Sequence, residues 1–366
     1  MKAMILAAGR GERLRPLTDT TPKPLLDVGG KPLIVHHIEH LRAAGIQEFV
    51  INTAWLGTQL EAALGDGQDL GVQIQWSHES TALETAGGIA QALDLLGDAP
   101  FLVVNGDVLC RFDVAALVKA AEKLDAHTTL AHLLMVENPA HNPHGDFDVL
   151  DHIILDRPGY TFSGIAAYHP ALFAALPKNT PAKLAPLLRE AMALGQVQGE
   201  VCYNHAWHDV GTPERLQRAQ QQVQAWAWIE TARQQERDGH LEHALEHWKH
   251  AADLGDQEAC FHYAIACWQG FGREADLLEA QRWLAIAADM GDLRAQGYLG
   301  DFLHVSDPQQ GRRYKVKAFH SWLKRAVSGD RQAADYVTSY YLNGDAVAAN
   351  TARAIRWSTQ TPADAE

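Results

Sequence analysis

The chain has 366 residues, enough for two domains, and its 47% hydrophobic and 21% charged content is that of a soluble globular protein, not a disordered one. Lys and Arg number 31 against 45 Asp and Glu, a net charge of −14, which argues against a broad nucleic-acid-binding surface. No apolar run reaches the ~18 residues of a membrane span, only Lys2 leads into the first strand-like stretch, and the four cysteines lack C-x-x-C spacing; the expectation is a reduced, cytoplasmic protein.

Met4 to Ala8 reads as a short buried strand. It breaks into the loop Gly9-Arg10-Gly11-Glu12-Arg13-Leu14-Arg15 and runs on through Pro22-Lys23-Pro24. Such a loop suits phosphate: Gly9 and Gly11 let backbone N–H groups approach a ligand, and Arg13 and Lys23 can neutralise several oxygens. The dinucleotide fingerprint fails because Leu14 stands at its third glycine, and the P-loop fails because no G-K-[ST] follows.

From there the pattern alternates. Helices are predicted over 32–44, 56–64, 89–96 and 114–124, and strands over 48–52, 72–76, 101–104 and 128–136. Repeated β-α-β units imply an α/β fold with an open, mixed, mostly parallel sheet and helices on both faces, whose ligands sit beyond the carboxyl ends of the strands. The phosphate loop lies at one such end. A second is Leu83-Glu84-Thr85-Ala86-Gly87-Gly88, where backbone amides and a flat glycine surface can face a planar base, or where Thr85 simply caps a helix. The third is Val104-Asn105-Gly106-Asp107, either a common turn or a carboxylate placed to hold Mg²⁺.

Residues 137–222 are expected to form the acceptor side of the pocket. His144-Gly145-Asp146-Phe147 precedes one strand-like stretch at 149–155 and another at 161–168 that carries Gly164, marking either a close approach or a bulge. Lys183 opens a helix, where it can reach a sugar phosphate or stand in solvent. His205 to Asp209 reads as a short strand, followed by Thr212 as N-cap and Pro213 at the first helical position; Asp209 is the second candidate metal carboxylate.

The string G-x-G-x-R-L with its P-K-P, together with the segments at 83–88, 104–107, 145–147, 162–165, 183–188 and 209–212, resembles the sugar-1-phosphate nucleotidyltransferases over about three fifths of the chain. Glu84 departs from the family's L-G-T-A-G wording. The resemblance implies a Rossmann-like, GT-A-like nucleotidyltransferase fold over 1–222 and transfer of a nucleotidyl group to a sugar 1-phosphate with release of pyrophosphate. It assigns Arg13, Lys23 and Asp107 to catalysis and Ala8, Gly9, Gly11, Glu12, Arg13, Lys23, Thr85, Ala86 and Gly87 to the nucleotide. Asn105, Asp146, Gly164 and Lys183 fall to the sugar phosphate, and Asp107 with Asp209 to Mg²⁺. The wording is nearest to the branch that takes UTP and N-acetylmuramate 1-phosphate in peptidoglycan recycling. Mannose-1-phosphate guanylyltransferase, with Glu79 or Glu84 accepting from guanine, is an alternative, and a non-catalytic nucleotide-sugar sensor is another.

Beyond residue 223 the pattern becomes wholly helical. Trp248, Trp283, Trp322 and Trp357 recur at separations of 35, 39 and 35 residues, and Gly255-Asp256, Gly291-Asp292 and Gly329-Asp330 follow the first three. Repeats of this length imply an all-α solenoid of stacked helix pairs over 223–366, similar to sel-one-like repeats, with a protein partner or self-association implied. Ser306 to Lys317 interrupts the period, as a loop or as drift. His240, His243, His247 and His250 share one helix face, solvated or, less favoured, metal-binding; His36, His37 and His40 carry less reason still for function.

Overall fold

A computed structural model describes residues 1–203 and 206–359. The chain divides into two compact units, Met1–Ala219 and Gln220–Glu366.

In the first unit the elements run β1 (Lys2–Leu6), α1 (Leu17–Thr20), α2 (Leu33–Ala43), β2 (Glu48–Thr53), α3 (Gly57–Leu64), β3 (Gln73–His78), α4 (Glu84–Leu96), β4 (Phe101–Asn105), β5 (Val108–Cys110), α5 (Val114–Ala121), β6 (Ala131–Val136), β7 (Phe147–Leu150), β8 (Ile153–Tyr168), α6 (Leu184–Ala193), β9 (Val197–Val201) and β10 (Trp207–Asp209). The main sheet has the order β3-β2-β1-β4-β8-β6-β9, with β7 alongside β8. It is parallel across β3-β2-β1-β4 and between β6 and β9, and antiparallel where β8 meets β4 and β6. β10 pairs with β5 as a separate antiparallel ribbon.

Strand alternation explains the layers. Ala3 and Ile5 face a core with Ile34, Ile38, Leu60 and Leu117, whereas Met4 faces the opposite core with Ile89, Phe101, Tyr168 and Leu188. Helices α2, α3 and α5 therefore cover one face, and α4 and α6 the other.

Several expectations needed correction. The stretch 149–155 is a hairpin end, because Asp151 and His152 turn the chain with φ of 46° and 63° between β7 and β8. Helix α4 starts at Glu84, not Ile89, so Thr85 sits in its first turn and Leu83 takes the N-cap position. Residues 127 and 128 precede β6 in a turn held by Asp125, whose carboxylate accepts from both backbone N–H groups at 2.8 and 2.9 Å. Of the strand expected over 205–209, His205 lies outside the described residues.

Helix α7 (Pro213–Arg237) crosses the unit boundary, and its first turn is capped by Thr212, whose Oγ1 accepts from Arg215 N–H at 3.3 Å. The second unit continues through α8 (Leu241–Asp253), α9 (Gln257–Gln269), α10 (Leu277–Asp289), α11 (Leu293–Ser306), α12 (Pro308–Val327), α13 (Arg331–Asn343) and α14 (Thr351–Thr359). The recurrent tryptophans fall on α8, α10, α12 and α14; Trp248, Trp322 and Trp357 are buried and Trp283 half-buried. Each Gly-Asp pair is a helix-to-helix joint. Gly255, Gly291 and Gly329 take left-handed φ of 82°, 100° and 101°, and the following aspartates cap the next helix by accepting from Ala259, Ala295 and Ala333 N–H at 2.9, 2.9 and 3.0 Å. The interruption at 306–317 is not a loop: Ser306 ends α11, Asp307 caps α12 by accepting from Gln310 N–H at 2.9 Å, and α12 runs on for 20 residues.

Candidate active site

The loop after β1 is shaped by two glycines. Gly11 has φ +69°, and a Cβ there would come within 3.0 Å of Thr18 Cγ2 and 3.3 Å of Lys23 Cβ, so glycine lets the loop fold down on Lys23. The three arginines separate. Arg10 lies over the Trp55 ring at 4.5 Å and pairs with Glu12, and Arg15 pairs with Asp19 at 2.8 Å. Arg13 is left facing a cavity of about 440 Å³.

The same cavity is lined by Ala8, Gly9, Gly11, Glu12 and Lys23 from this loop, by Asn105 at the end of β4 with Gly106 and Asp107 after it, by Asn52 at the end of β2 and Glu79 just after β3, and by Leu83, Glu84 and Thr85 at the start of α4. Lys23 is buried, with its Nζ 2.8 Å from Asp107 Oδ2; the Asp107 side chain is 44% exposed, leaving oxygen surface open to the cavity. Gly106 N–H donates to Leu6 O at 2.9 Å, and a Cβ at 106 would lie 2.6 Å from that oxygen, so glycine lets the turn close on β1 and carry Asp107 to its rim.

Asp209 arrives on β10. Its residue pairs with Val108 in the ribbon, and Val210 N–H donates to Asp107 O at 2.8 Å, so Asp209 at the end of β10 lies alongside the segment in which Asp107 leads into β5. Asp209 Oδ2 accepts from Arg215 at 2.6 Å and lies 3.6 Å from His141 Nε2, while its buried Oδ1 has no hydrogen-bond partner among the described residues. Gly211 lines the cavity, and a Cβ on it would stand 2.7 Å from Asp209 Oδ1 and 2.8 Å from Arg13 Nη2. Arg13 and Asp209 therefore flank one point of the cavity rim. Asp107 offers exposed carboxylate oxygen to the cavity, and Asp209, next to Gly211 at its edge, offers a buried oxygen with no partner among the described residues; donors of this kind fit Mg²⁺, which commonly takes one or two carboxylates and completes its shell with phosphate and water.

Other predicted residues lie apart. Ala86 and Gly87 do not offer amides to a ligand: both N–H groups donate to Ala182 O, at 3.0 and 3.1 Å, and a Cβ on Gly87 would stand 2.5 Å from Thr180 O. Gly164 is a bulge residue with φ +79°, at the register shift of β6 on β8, and it makes room for Asn105, whose Nδ2 a Cβ would approach to 2.5 Å. Asp146 is turned to structure, accepting from Phe162 N–H at 2.8 Å. Lys183 is an exposed N-cap of α6 and does not line the cavity.

Sequence reasoning missed Asn52 and left Glu79 as a guanine contact. Asn52 donates to Glu79 Oε1 at 2.7 Å, and Leu83 N–H donates to Oε2 at 2.8 Å, so both carboxylate oxygens already have protein donors. Burial pushes the Glu79 carboxyl above its ordinary value, against the pull of these two donors. The available signal was a polar residue at the carboxyl end of an otherwise apolar strand, Phe49-Val50-Ile51-Asn52. In the helical unit, His247 and His250 pack their rings against Trp228, with centroids 5.2 and 4.9 Å away.

A family model described as nucleotidyl transferase matches residues 2–152. The N-acetylmuramate alpha-1-phosphate uridylyltransferase of Neisseria meningitidis is 56% identical over 233 residues, which is 62% of this chain and the whole of that protein. The chain belongs to the nucleotidyl transferase family. This nucleotidyltransferase is also 32% identical to the mannose-1-phosphate guanylyltransferase catalytic subunit beta of Danio rerio, over 58% of this chain and 62% of that one. Among solved structures, a putative glucose-1-phosphate thymidylyltransferase from Bacillus anthracis aligns with TM-score 0.55 and 25% identity, covering 60% of this chain and 94% of its own. The matches bear on the α/β unit. No described helix is long and apolar enough to cross a membrane.

Proposed function

We propose that residues 1–222 transfer uridylyl from UTP to N-acetylmuramate 1-phosphate, releasing pyrophosphate, as a cytoplasmic step of peptidoglycan recycling. The observation that carries the reaction is the meeting of Arg13, Lys23 and Asp107 on one cavity with Asp209 beside its Gly211 edge. The choice of substrate is supported by 56% identity across the full length of the Neisseria uridylyltransferase.

In this reading an acceptor phosphate oxygen attacks the α-phosphorus in line with departing pyrophosphate. The acceptor is already ionised, so positioning and charge neutralisation carry the rate. Arg13 holds the leaving β- and γ-phosphates, and the loop amides of Ala8 to Glu12 cradle them. Lys23, held by Asp107, contacts the phosphates at the reacting centre. Asp107 and Asp209 would hold Mg²⁺, which supplies charge neutralisation between donor and acceptor. Thr85 takes the nucleoside side of the cavity and Asn105 the sugar-phosphate side, with Gly164 shaping Asn105; Asp146 and Lys183 act from outside the lining. Residues 223–366, read as sel-one-like repeats, present a surface for a protein partner or a second copy.

A guanylyltransferase is the second reading, favoured by the exposed Glu84 on the cavity wall, a carboxylate able to accept from guanine N–H groups. Incubation with Mg²⁺, each of four nucleoside triphosphates and a panel of sugar 1-phosphates, followed by pyrophosphate release, separates the readings. Release with UTP and N-acetylmuramate 1-phosphate is expected. Release confined to GTP and mannose 1-phosphate supports the second, and nucleotide binding without release supports a sensor.

A further inference from the structure

Asn52 and Glu79 are 3% and 7% exposed, yet neither belongs to the phosphate loop or to the carboxylate pair. Both line the cavity, and they form a continuous chain of hydrogen bonds along its wall. Ala7 N–H, where β1 gives way to the phosphate loop, donates to Asn52 Oδ1 at 2.7 Å. Asn52 Nδ2 donates to Glu79 Oε1 at 2.7 Å, and Leu83 N–H, at the entrance to α4, donates to Glu79 Oε2 at 2.8 Å. Glu79 is itself anchored by its N–H to Thr53 O at 2.9 Å. Gly88 leaves the space: a Cβ there would lie 2.7 Å from Glu79 Oε1 and 2.9 Å from Asn52 Nδ2.

The bridge joins the two walls between which a nucleotide must fit. One end fixes the first amide of the phosphate loop; the other fixes the residue before Glu84 and Thr85. A buried carboxylate is a costly way to fill space, since well-packed apolar residues do as much for stability. Its use is geometric, because two acceptors set the direction of both neighbours. We propose that Asn52 and Glu79 are positioning residues that hold the phosphate loop and the α4 entrance at the separation a nucleoside triphosphate requires. This rests on reading the cavity as the triphosphate site, and it deepens that reading by assigning donor affinity to two buried lining residues whose polar atoms bond to the cavity walls.

Donor–acceptor reversal tests it in the full-length protein. Glu79→Gln puts an amide donor where an acceptor is needed, facing either Asn52 Nδ2 or Leu83 N–H. Asn52→Asp sets a second carboxylate against Glu79. The double variant restores all three bonds with the middle one reversed: the new carboxylate accepts from Ala7 N–H and from the new amide, whose oxygen accepts from Leu83 N–H, and the net charge is that of wild type. Each single variant is expected to weaken UTP binding, measured by calorimetry, about tenfold. The loss should appear in KM for UTP more than in kcat, because the walls contact ground and transition states alike. The double variant is expected to return to within about threefold of wild type. A merely structural role would lower melting temperature and kcat without this split or rescue.

Singles that bind UTP as wild type does, or a double variant no better than Glu79→Gln, overturn the bridge. Should Asn52→Asp not fold, the comparison of Glu79→Gln with the double variant decides alone. Wild type that binds a triphosphate but releases no pyrophosphate contradicts the proposed reaction and leaves the bridge measurable on that triphosphate. Wild type that binds none of the four overturns both.

Discussion

Lys23 Nζ and Asp107 Oδ2, from residues 84 positions apart in sequence, stand 2.8 Å from each other at the rim of the sheet. The lysine is almost wholly buried and the aspartate half-open, so the cation is held in place while carboxylate oxygen remains available to the cavity. A charge pair arranged in this way orients one group for a ligand by means of the other.

Asp107→Asn is therefore expected to lower turnover by about two to four orders of magnitude, roughly 3 to 5 kcal/mol of transition-state stabilisation, with the fold retained. Steady-state pyrophosphate release and circular dichroism check both parts. Wild-type turnover in the variant would remove Asp107 from the reacting centre.

Glu84 carries φ +61° on a cavity-lining, exposed position, a backbone region that disfavours any side chain with a Cβ. Relief of that strain, less the greater unfolded-state freedom of glycine, should make Glu84→Gly more stable by about 0.5 to 1 kcal/mol. Urea unfolding measures this. A loss of stability would mean that the Glu84 side chain contributes more to the fold than its backbone costs.

His37 is 2% exposed, and burial lowers its pKa from the ordinary 6.5 to about 4; its Nε2 has no partner among the described residues. The native state thus excludes a proton that the unfolded chain accepts. Its stability contribution is whole above pH 6.5 and is lost as pH falls from 6.5 towards 4. Between pH 7 and pH 5, wild type should lose about 2 kcal/mol more than His37→Gln. Urea unfolding at the two pH values tests this, and equal losses would contradict it.

Asp292 is buried, caps α11 through Ala295 N–H and pairs with Arg294 at 2.7 Å. Asp292→Ala should cost about 1 to 2 kcal/mol, whereas Asp292→Asn, which keeps the capping oxygen, should cost less than half of that. Thermal unfolding of the two variants decides. Equal losses would assign the effect to the ion pair and not to the cap.

Much of the fold was legible because its signals are local. Strand alternation around Met4, the stop at Gly45 and the Thr212-Pro213 helix start are set by neighbours in sequence. The Gly-Asp joints of the helical unit were visible as a repeat, although the left-handed turn plus N-cap that each one makes depends on the helix that follows it. That Arg13, Lys23 and Asp107 face one cavity was legible from residue type, in the loop after β1 and at the end of β4. The surroundings of Gly87 and Gly164 were not, because a glycine that admits another part of the chain looks in sequence like one that admits a ligand, and the bond from Ala86 N–H to Ala182 O is equally invisible there. The bond between Asn52 and Glu79 was hidden for a related reason: it joins the end of β2 to the residue just after β3, 27 residues away.

The central claim is tested most directly by following phosphorus label. With Mg²⁺, N-acetylmuramate 1-phosphate and UTP labelled at the α-phosphorus, the label is predicted to appear in a sugar nucleotide, and with γ-labelled UTP in pyrophosphate. Label recovered instead as UMP or UDP, or unchanged UTP under conditions where the protein binds it, would contradict the account.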